Sequence, residues 1–187
     1  MTETMQPVLP SSATNAVNVN SIPAFLVLAL MLAIAVYVEL KEMRIPNWLT
    51  FSGMSLGLLI AYLHGTPAFV SSIVGLLIGF GFLFIFYVFG GVGGGDVKLM
   101  GAAGALMGSA LIRPALVYTA FIGAFLAVMM VIWRKDFWMR IAWGIKRLAF
   151  WRKGDVAELT PPVPVAVPYG MAIALGCLLA LLIGAAV

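Results

Sequence analysis

The sequence is poor in charged residues and has almost no cysteine or histidine. Of its 187 residues, 10% are charged and 63% are hydrophobic, whereas a soluble domain is typically about 25% charged. This composition excludes an ordinary soluble protein and indicates an integral membrane protein. The single cysteine, Cys177, excludes a disulfide framework and a cysteine-rich zinc site. The sequence also has no nucleotide-binding loop, metal-ligand cluster or nucleic-acid-binding patch, so we expect no cofactor, no metal and no nucleic-acid partner.

Six apolar runs follow one another along the chain, separated by short polar or proline-containing stretches. They cover residues 22–38, 48–64, 68–89, 97–111, 115–133 and 166–187. A transmembrane helix needs about 20 residues, with a range of about 17 to 25. The fourth run is short and rich in small residues, and Arg113-Pro114 separates it from the fifth. The sequence therefore predicts an all-α, polytopic membrane protein with six transmembrane helices.

The basic residues predict the orientation of these helices. If all six runs cross the membrane, ten lysines and arginines fall on one side and only Arg113 falls on the other. The ten are Lys41, Arg44, Lys98, Arg134, Lys135, Arg140, Lys146, Arg147, Arg152 and Lys153. Because basic loops are retained in the cytoplasm, the side with ten is expected to be cytoplasmic. Both termini are then on the outer side.

Two segments outside the apolar runs have their own character. Residues 1–21 are polar and contain no lysine or arginine, which predicts a disordered outer tail before a single six-span domain over 22–187. Residues 133–165 form the predicted cytoplasmic loop. Within it, apolar residues recur at helical spacing over 134–153, among tryptophans and basic residues. This pattern predicts an amphipathic interfacial helix that binds the cytoplasmic leaflet, and a surface for docking substrate is the alternative.

Two acids are expected at the same membrane depth. Glu39 directly follows the first apolar run, and Asp96 directly precedes the fourth. In the predicted topology both positions are at the cytoplasmic boundary. Acids at this depth are uncommon and often functional. The structural alternatives are that Asp96 only caps a helix and that Glu39 is only a solvated helix-terminal acid beside Lys41 and Arg44.

A pair of carboxylates has a well-defined chemistry. Two carboxylates about 3 Å apart cannot both ionise easily, so they share one proton. The charged carboxylate can take a proton from water as the water attacks a peptide carbonyl, and the protonated one polarises that carbonyl. The placement of Glu39 and Asp96 is the arrangement that a two-carboxylate hydrolase needs, beside the two structural alternatives above.

The glycine-rich stretch before Asp96 is expected to form a loop that contacts substrate. We expect the glycines of this stretch to permit positive φ and a close approach of the substrate backbone, with Gly93 and Gly95 as residues of the substrate-binding loop. Lys98 is predicted either to orient a substrate carbonyl or to extend towards lipid phosphate. Further along, three glycines at 101, 104 and 108 are expected to let the fourth helix pack closely against its neighbours.

Three stretches resemble the type IV prepilin peptidases, a family of intramembrane aspartyl proteases with a GxGD motif. They are RIPNWLT at 44–50, GGGDVKLM at 93–100 and VPYGMAIA at 167–174. Their order and the six apolar runs extend the resemblance over nearly the whole chain, and it is closest to the small members from tight-adherence (Flp) pilus systems. One position departs from the family pattern, because Glu39 is at the place of the family's first aspartate.

The resemblance implies an aspartic-type endopeptidase with Asp96 and Glu39 as its catalytic residues. It would be a multi-pass protein of the bacterial inner membrane. Its substrates would be prepilin-like proteins with a basic leader, a cleavage site after a small residue and a hydrophobic helix beyond it. The cytoplasmic cysteine-bearing domain of larger members is missing from this sequence, so methyl transfer is not expected.

A second hypothesis is a catalytically silent relative that binds pilins or assembly proteins as a scaffold, with Glu39 as the disabling change. A small transporter is less favoured, because the sequence suggests no inverted repeat and no broken helix apart from the glycine loop. The sequence does not indicate the oligomeric state.

Overall fold

The computed structural model describes residues 22–89, 91–133 and 169–184. The predicted tail, 1–21, lies outside the described residues. So does the predicted loop over 133–165 with its amphipathic helix, apart from Trp133 at the end of a helix.

The described part of the chain is all-α, as the sequence predicts, and it contains no strand. Its helices are α1 (Ile22–Glu42), α2 (Asn47–Leu63), α3 (Thr66–Val88), α4 (Gly94–Trp133) and α5 (Tyr169–Gly184). Three segments are long and apolar enough to cross a membrane, namely α1, α3 and residues Gly94–Met129 of α4, while α2 and α5 are shorter apolar helices. Because α1 continues for one turn beyond its apolar run, Glu39 lies within the helix and not after it.

Helix α4 is broken at Gly108, which has φ 72° and ψ 177°. This φ lies in the left-handed region, which glycine adopts without the steric penalty of a side chain. A straight helix would place Gly123 about 40 Å from Asp96. However, Tyr169 packs directly on Gly123 and also interacts electrostatically with Asp96. The chain therefore turns back at Gly108, and residues 94–107 and 109–133 are two antiparallel segments.

This break corrects two expectations from the sequence. The turn between the fourth and fifth runs is at Gly108 and not at Arg113-Pro114, and Pro114 lies inside the second segment. The expectation that no helix is broken apart from the glycine loop is also wrong. With α4 counted as two segments, the described residues form six helical segments, while the number that cross the membrane stays a prediction.

Two serines of α3 stabilise the break. Ser72 Oγ donates a hydrogen bond of 2.5 Å to the carbonyl oxygen of Ala105, and Ser71 Oγ accepts one of 3.1 Å from the N–H of Ser109. These are backbone groups on either side of Gly108. Unsatisfied backbone groups are costly in an apolar environment, so a broken helix inside a membrane protein needs such partners.

Residues 94–107 form the central segment of the bundle. All its positions from Leu99 to Met107 are buried, which is typical of a helix that other helices surround. Small residues allow this packing: a Cβ at Gly57 would be 3.0 Å from the carbonyl carbon of Ala105, and one at Gly104 would overlap the backbone of Gly75. The predicted close packing of this segment is therefore confirmed.

We expect Gly75→Ala to lower the stability of the bundle. A Cβ at Gly75 would overlap the carbonyl oxygen of Gly104 and would be 2.8 Å from the carbonyl carbon of Gly108. Overpacking of this kind costs about 1–3 kcal/mol, which thermal unfolding in detergent would show as a lower midpoint. Gly81→Ala is the matched control on the same helix, because nothing lies within 4 Å of a Cβ there. Equal midpoints for the two variants would contradict this packing.

The end of α1 and the beginnings of α2, α4 and α5 meet at one end of the bundle. Glu39 near the end of α1 contacts Gly170 at the start of α5, and Lys98 in the first turns of α4 contacts Asn47 at the start of α2. Segments that are far apart in sequence thus supply the groups of one site.

Candidate active site

The structure brings Glu39 and Asp96 together at this end of the bundle. Their side chains are 5% and 7% exposed, and they interact electrostatically with each other. Glu42, one turn further along α1, is exposed. The expectation that Glu39 is a solvated helix-terminal acid is therefore wrong, because the protein buries it beside a second carboxylate. Burial of two such groups is costly unless other interactions stabilise them.

The N-terminus of α5 stabilises the Glu39 carboxylate. The N–H of Gly170 donates a hydrogen bond of 3.0 Å to Glu39 Oε1, and the backbone N–H groups of Tyr169 and Met171 also act on the carboxylate. The first N–H groups of a helix have no partner within the helix and carry its positive dipole end. Glu39 Oε2 is buried and has no hydrogen-bond partner among the described residues. One oxygen is therefore held by α5, and the other has no such contact in the described part of the chain.

Asp96 is held by the beginning of its own helix. Its Oδ2 accepts a hydrogen bond of 3.1 Å from the N–H of Gly93, and its own N–H donates one of 3.1 Å to the carbonyl oxygen of Gly93. This contact is half of a capping box, in which the acid at the third position of a helix accepts a hydrogen bond from the N–H of the N-cap residue. Here Asp96 is that acid and Gly93 is the N-cap residue. Asp96 thus does cap α4, as its position in the sequence suggests, and the cap fixes its carboxylate next to Glu39.

The glycines before Asp96 provide space and not an unusual backbone conformation. A Cβ at Gly93 would be 2.9 Å from Asp96 Oδ2, and one at Gly95 would be 3.0 Å from the Cβ of Ile45. Of the described glycines, only Gly65 and Gly108 have positive φ, so the expected positive φ at Gly93 and Gly95 is wrong. Gly93 allows the approach of Asp96, and Gly95 allows the RIPN stretch to pack on α4. Their contact with substrate stays a prediction.

Lys98 contacts α2. Its Nζ donates a hydrogen bond of 2.9 Å to Asn47 Oδ1 and lies 5.6 Å from the centroid of the Phe51 ring. These contacts join the start of α4 to the start of α2, two residues after Asp96 in the chain. A role of Lys98 in binding the substrate stays a prediction.

Tyr169 and Gly170 belong to the site, although the sequence gives them no role beyond their place in the PYG stretch. The Tyr169 ring lies against α4, where a Cβ at Gly123 would be 2.6 Å from the phenol oxygen. Tyr169 also interacts electrostatically with Asp96. Both residues therefore line the space around the two acids. The described residues contain no cluster of three or more histidine, cysteine or acidic side chains for a metal.

The fold and site define an all-α membrane protein in which two helices bury a pair of interacting acids. The sequence model of the type IV leader peptidase family matches residues 26–128, more than half of the chain, and this chain belongs to that family. The match includes both acids and the RIPN and GGGD stretches, and it ends before α5. Neither a search of curated proteins nor one of solved structures finds a match.

Proposed function

We propose that this protein is an aspartic-type endopeptidase that removes the short leader of prepilin-like precursors at the cytoplasmic face of the membrane. Its catalytic residues are Glu39 and Asp96. The observation that carries the proposal is the burial of these two interacting carboxylates at one end of the bundle. Membership in the type IV leader peptidase family supports the same chemistry and the class of substrate.

The pair holds one proton between its two carboxyl groups and titrates as a unit. The ionised carboxyl takes a proton from water as the water oxygen bonds to the scissile carbonyl carbon. The protonated carboxyl gives its proton to the carbonyl oxygen. When the tetrahedral intermediate collapses, the C–N bond breaks and the amine leaves with the proton that the pair took from water, while a hydroxyl proton of the intermediate passes to the other carboxylate, so that the pair again holds one proton. Glu39 Oε2 is the oxygen suited to the water, because Oε1 already accepts the Gly170 hydrogen bond.

Co-expression with candidate prepilins tests the proposal in cells. The wild-type protein should shorten a precursor that has a basic leader, a small residue at the cleavage site and an apolar helix beyond it. Asp96→Ala should leave the precursor at full length. Precursors that stay intact with the wild type would favour the alternative, a silent relative that binds pilins as a scaffold. The observation that favours this alternative is the glutamate at position 39.

The same proposal includes a topology. The protein would lie in the bacterial inner membrane with six crossings, both termini outside, and the 133–165 loop in the cytoplasm as part of a single domain over 22–187. The ten-to-one distribution of basic residues supports this orientation. A cytoplasmic reporter fused after Arg152 should be active, and an outer-side reporter fused there should be silent. The reverse pattern would contradict the orientation.

A further inference from the structure

The N-terminus of α5 fits closely around the Glu39 side chain. A Cβ at Gly170 would be 2.6 Å from Glu39 Oε2, 3.1 Å from Cδ and 3.3 Å from Oε1. Real Cβ atoms essentially never approach an oxygen to 2.6 Å, and Gly170 is buried. Its φ is not positive, so its backbone conformation is open to any residue. A Cβ at position 170 would therefore displace the end of the Glu39 side chain, whereas the helix itself would accept it.

From this contact we infer that Gly170 is a positioning residue that allows a glutamate to act at position 39. The inference rests on the proposed function. A glutamate extends one methylene further than an aspartate, and here its carboxylate reaches Gly170: Oε1 accepts the Gly170 N–H, and Oε2 lies in the space that a Cβ would need. Gly170 thus fixes Oε1 by its amide, while Oε2 has no hydrogen-bond partner among the described residues.

The unpartnered oxygen supports this assignment. A buried acceptor without a hydrogen bond is costly, and such groups in native structures need an explanation. Among the described residues, Glu39 Oε2 is such an atom, on a side chain that is 5% exposed. The proposed role of Oε2, to receive the proton of water, accounts for an oxygen that has no hydrogen-bond partner among the described residues.

A four-protein cycle tests the inference: wild type, Gly170→Ala, Glu39→Asp and the double variant, each assayed for prepilin cleavage. Gly170→Ala should lower kcat by about a hundredfold, because a misplacement of about 1 Å in a catalytic group costs that much. KM should change little, because the substitution acts through the position of the Glu39 carboxylate and not through substrate binding. In the Glu39→Asp background the shorter side chain withdraws from position 170, so Gly170→Ala should change kcat less than about threefold, a strongly non-additive result.

The matched control is Gly176→Ala on the same helix. A Cβ at Gly176 would be 2.7 Å from the backbone nitrogen of Thr119, so this change disturbs the packing of α5 away from Glu39. Its effect should be the same with glutamate or aspartate at position 39. If the effect of Gly170→Ala were equally independent of residue 39, Gly170 would be an ordinary packing position and the inference would be wrong.

Thermal unfolding of the same four proteins gives a second readout of the contact between residues 39 and 170, and cleavage by the wild type separates this inference from the proposed function. Gly170→Ala should lower the midpoint of thermal unfolding when residue 39 is glutamate and should not lower it when residue 39 is aspartate. This comparison holds even if the single variant Gly170→Ala folds poorly. If the wild type cleaves no prepilin, the proposed function fails and the positioning role fails with it, whatever the midpoints show. If the wild type cleaves prepilin but Glu39→Asp reduces the effect of Gly170→Ala neither on kcat nor on the midpoint, the inference alone fails.

Discussion

Asp96→Asn is expected to reduce cleavage of a prepilin by about 10²- to 10⁴-fold, the usual contribution of a general acid or base. An amide can neither share the proton with Glu39 nor take one from water. The change should leave the fold intact, because the side-chain oxygen of the asparagine can still accept the hydrogen bond from the Gly93 N–H and so cap α4. The measurement is the cleavage rate of purified variants in lipid discs, with thermal unfolding to check the fold.

Glu42→Gln is the control for this loss. Glu42 is on the same helix as Glu39 but is exposed, so removal of its charge should leave the cleavage rate unchanged. Cleavage by Asp96→Asn at the wild-type rate would overturn the two-acid mechanism. A comparable loss in Glu42→Gln would show that the assay responds to charge in general and not to the buried pair.

The second large effect is expected at Glu39. Glu39→Gln keeps the length of the side chain and an oxygen for the Gly170 N–H, but it removes the ionisable group, so cleavage should fall about as far as in Asp96→Asn. Glu39→Asp keeps an acid and withdraws it from Gly170, so its rate should be lower by up to about a hundredfold. The expected order of rates is therefore wild type, Glu39→Asp, then Glu39→Gln.

The rate of Glu39→Asp also decides between the two hypotheses for the protein. In a silent relative disabled only by the extra methylene, aspartate should restore cleavage that the wild type lacks. In an active enzyme, whose Gly170 contact fits the glutamate, aspartate should give no gain. A Glu39→Asp variant that cleaves faster than the wild type would contradict the active-enzyme account.

The class of fold could be predicted because the membrane imposes it. Long apolar runs need helices to satisfy their backbone groups, so an all-α architecture follows from the sequence alone. The break in α4 could not be placed in this way. Proline is the stronger local signal for a break, and it suggested Arg113-Pro114. The actual break at Gly108 depends on two serines of α3. Ser71 accepts a hydrogen bond from the N–H of Ser109, and Ser72 donates one to the carbonyl oxygen of Ala105.

The pairing of the two acids could be predicted from topology, because helix ends on one side of a membrane share a depth. What surrounds the pair could not. Gly170 is 131 positions from Glu39, and no local pattern indicates that its N–H faces a carboxylate. Only its place in the PYG stretch marked it as unusual. The glycines before Asp96 suggested positive φ, whereas their use is to leave space for Asp96 and Ile45.

The most direct test of the central claim is the mass of a prepilin after incubation with the purified protein in lipid discs. The substrate should have a basic leader, a small residue before the cut and an apolar helix after it. The account predicts two products from one cut after the small residue with the wild-type protein, and an intact precursor with Asp96→Asn and with Glu39→Gln. An intact precursor with the wild type, or the same two products with Asp96→Asn, would contradict it.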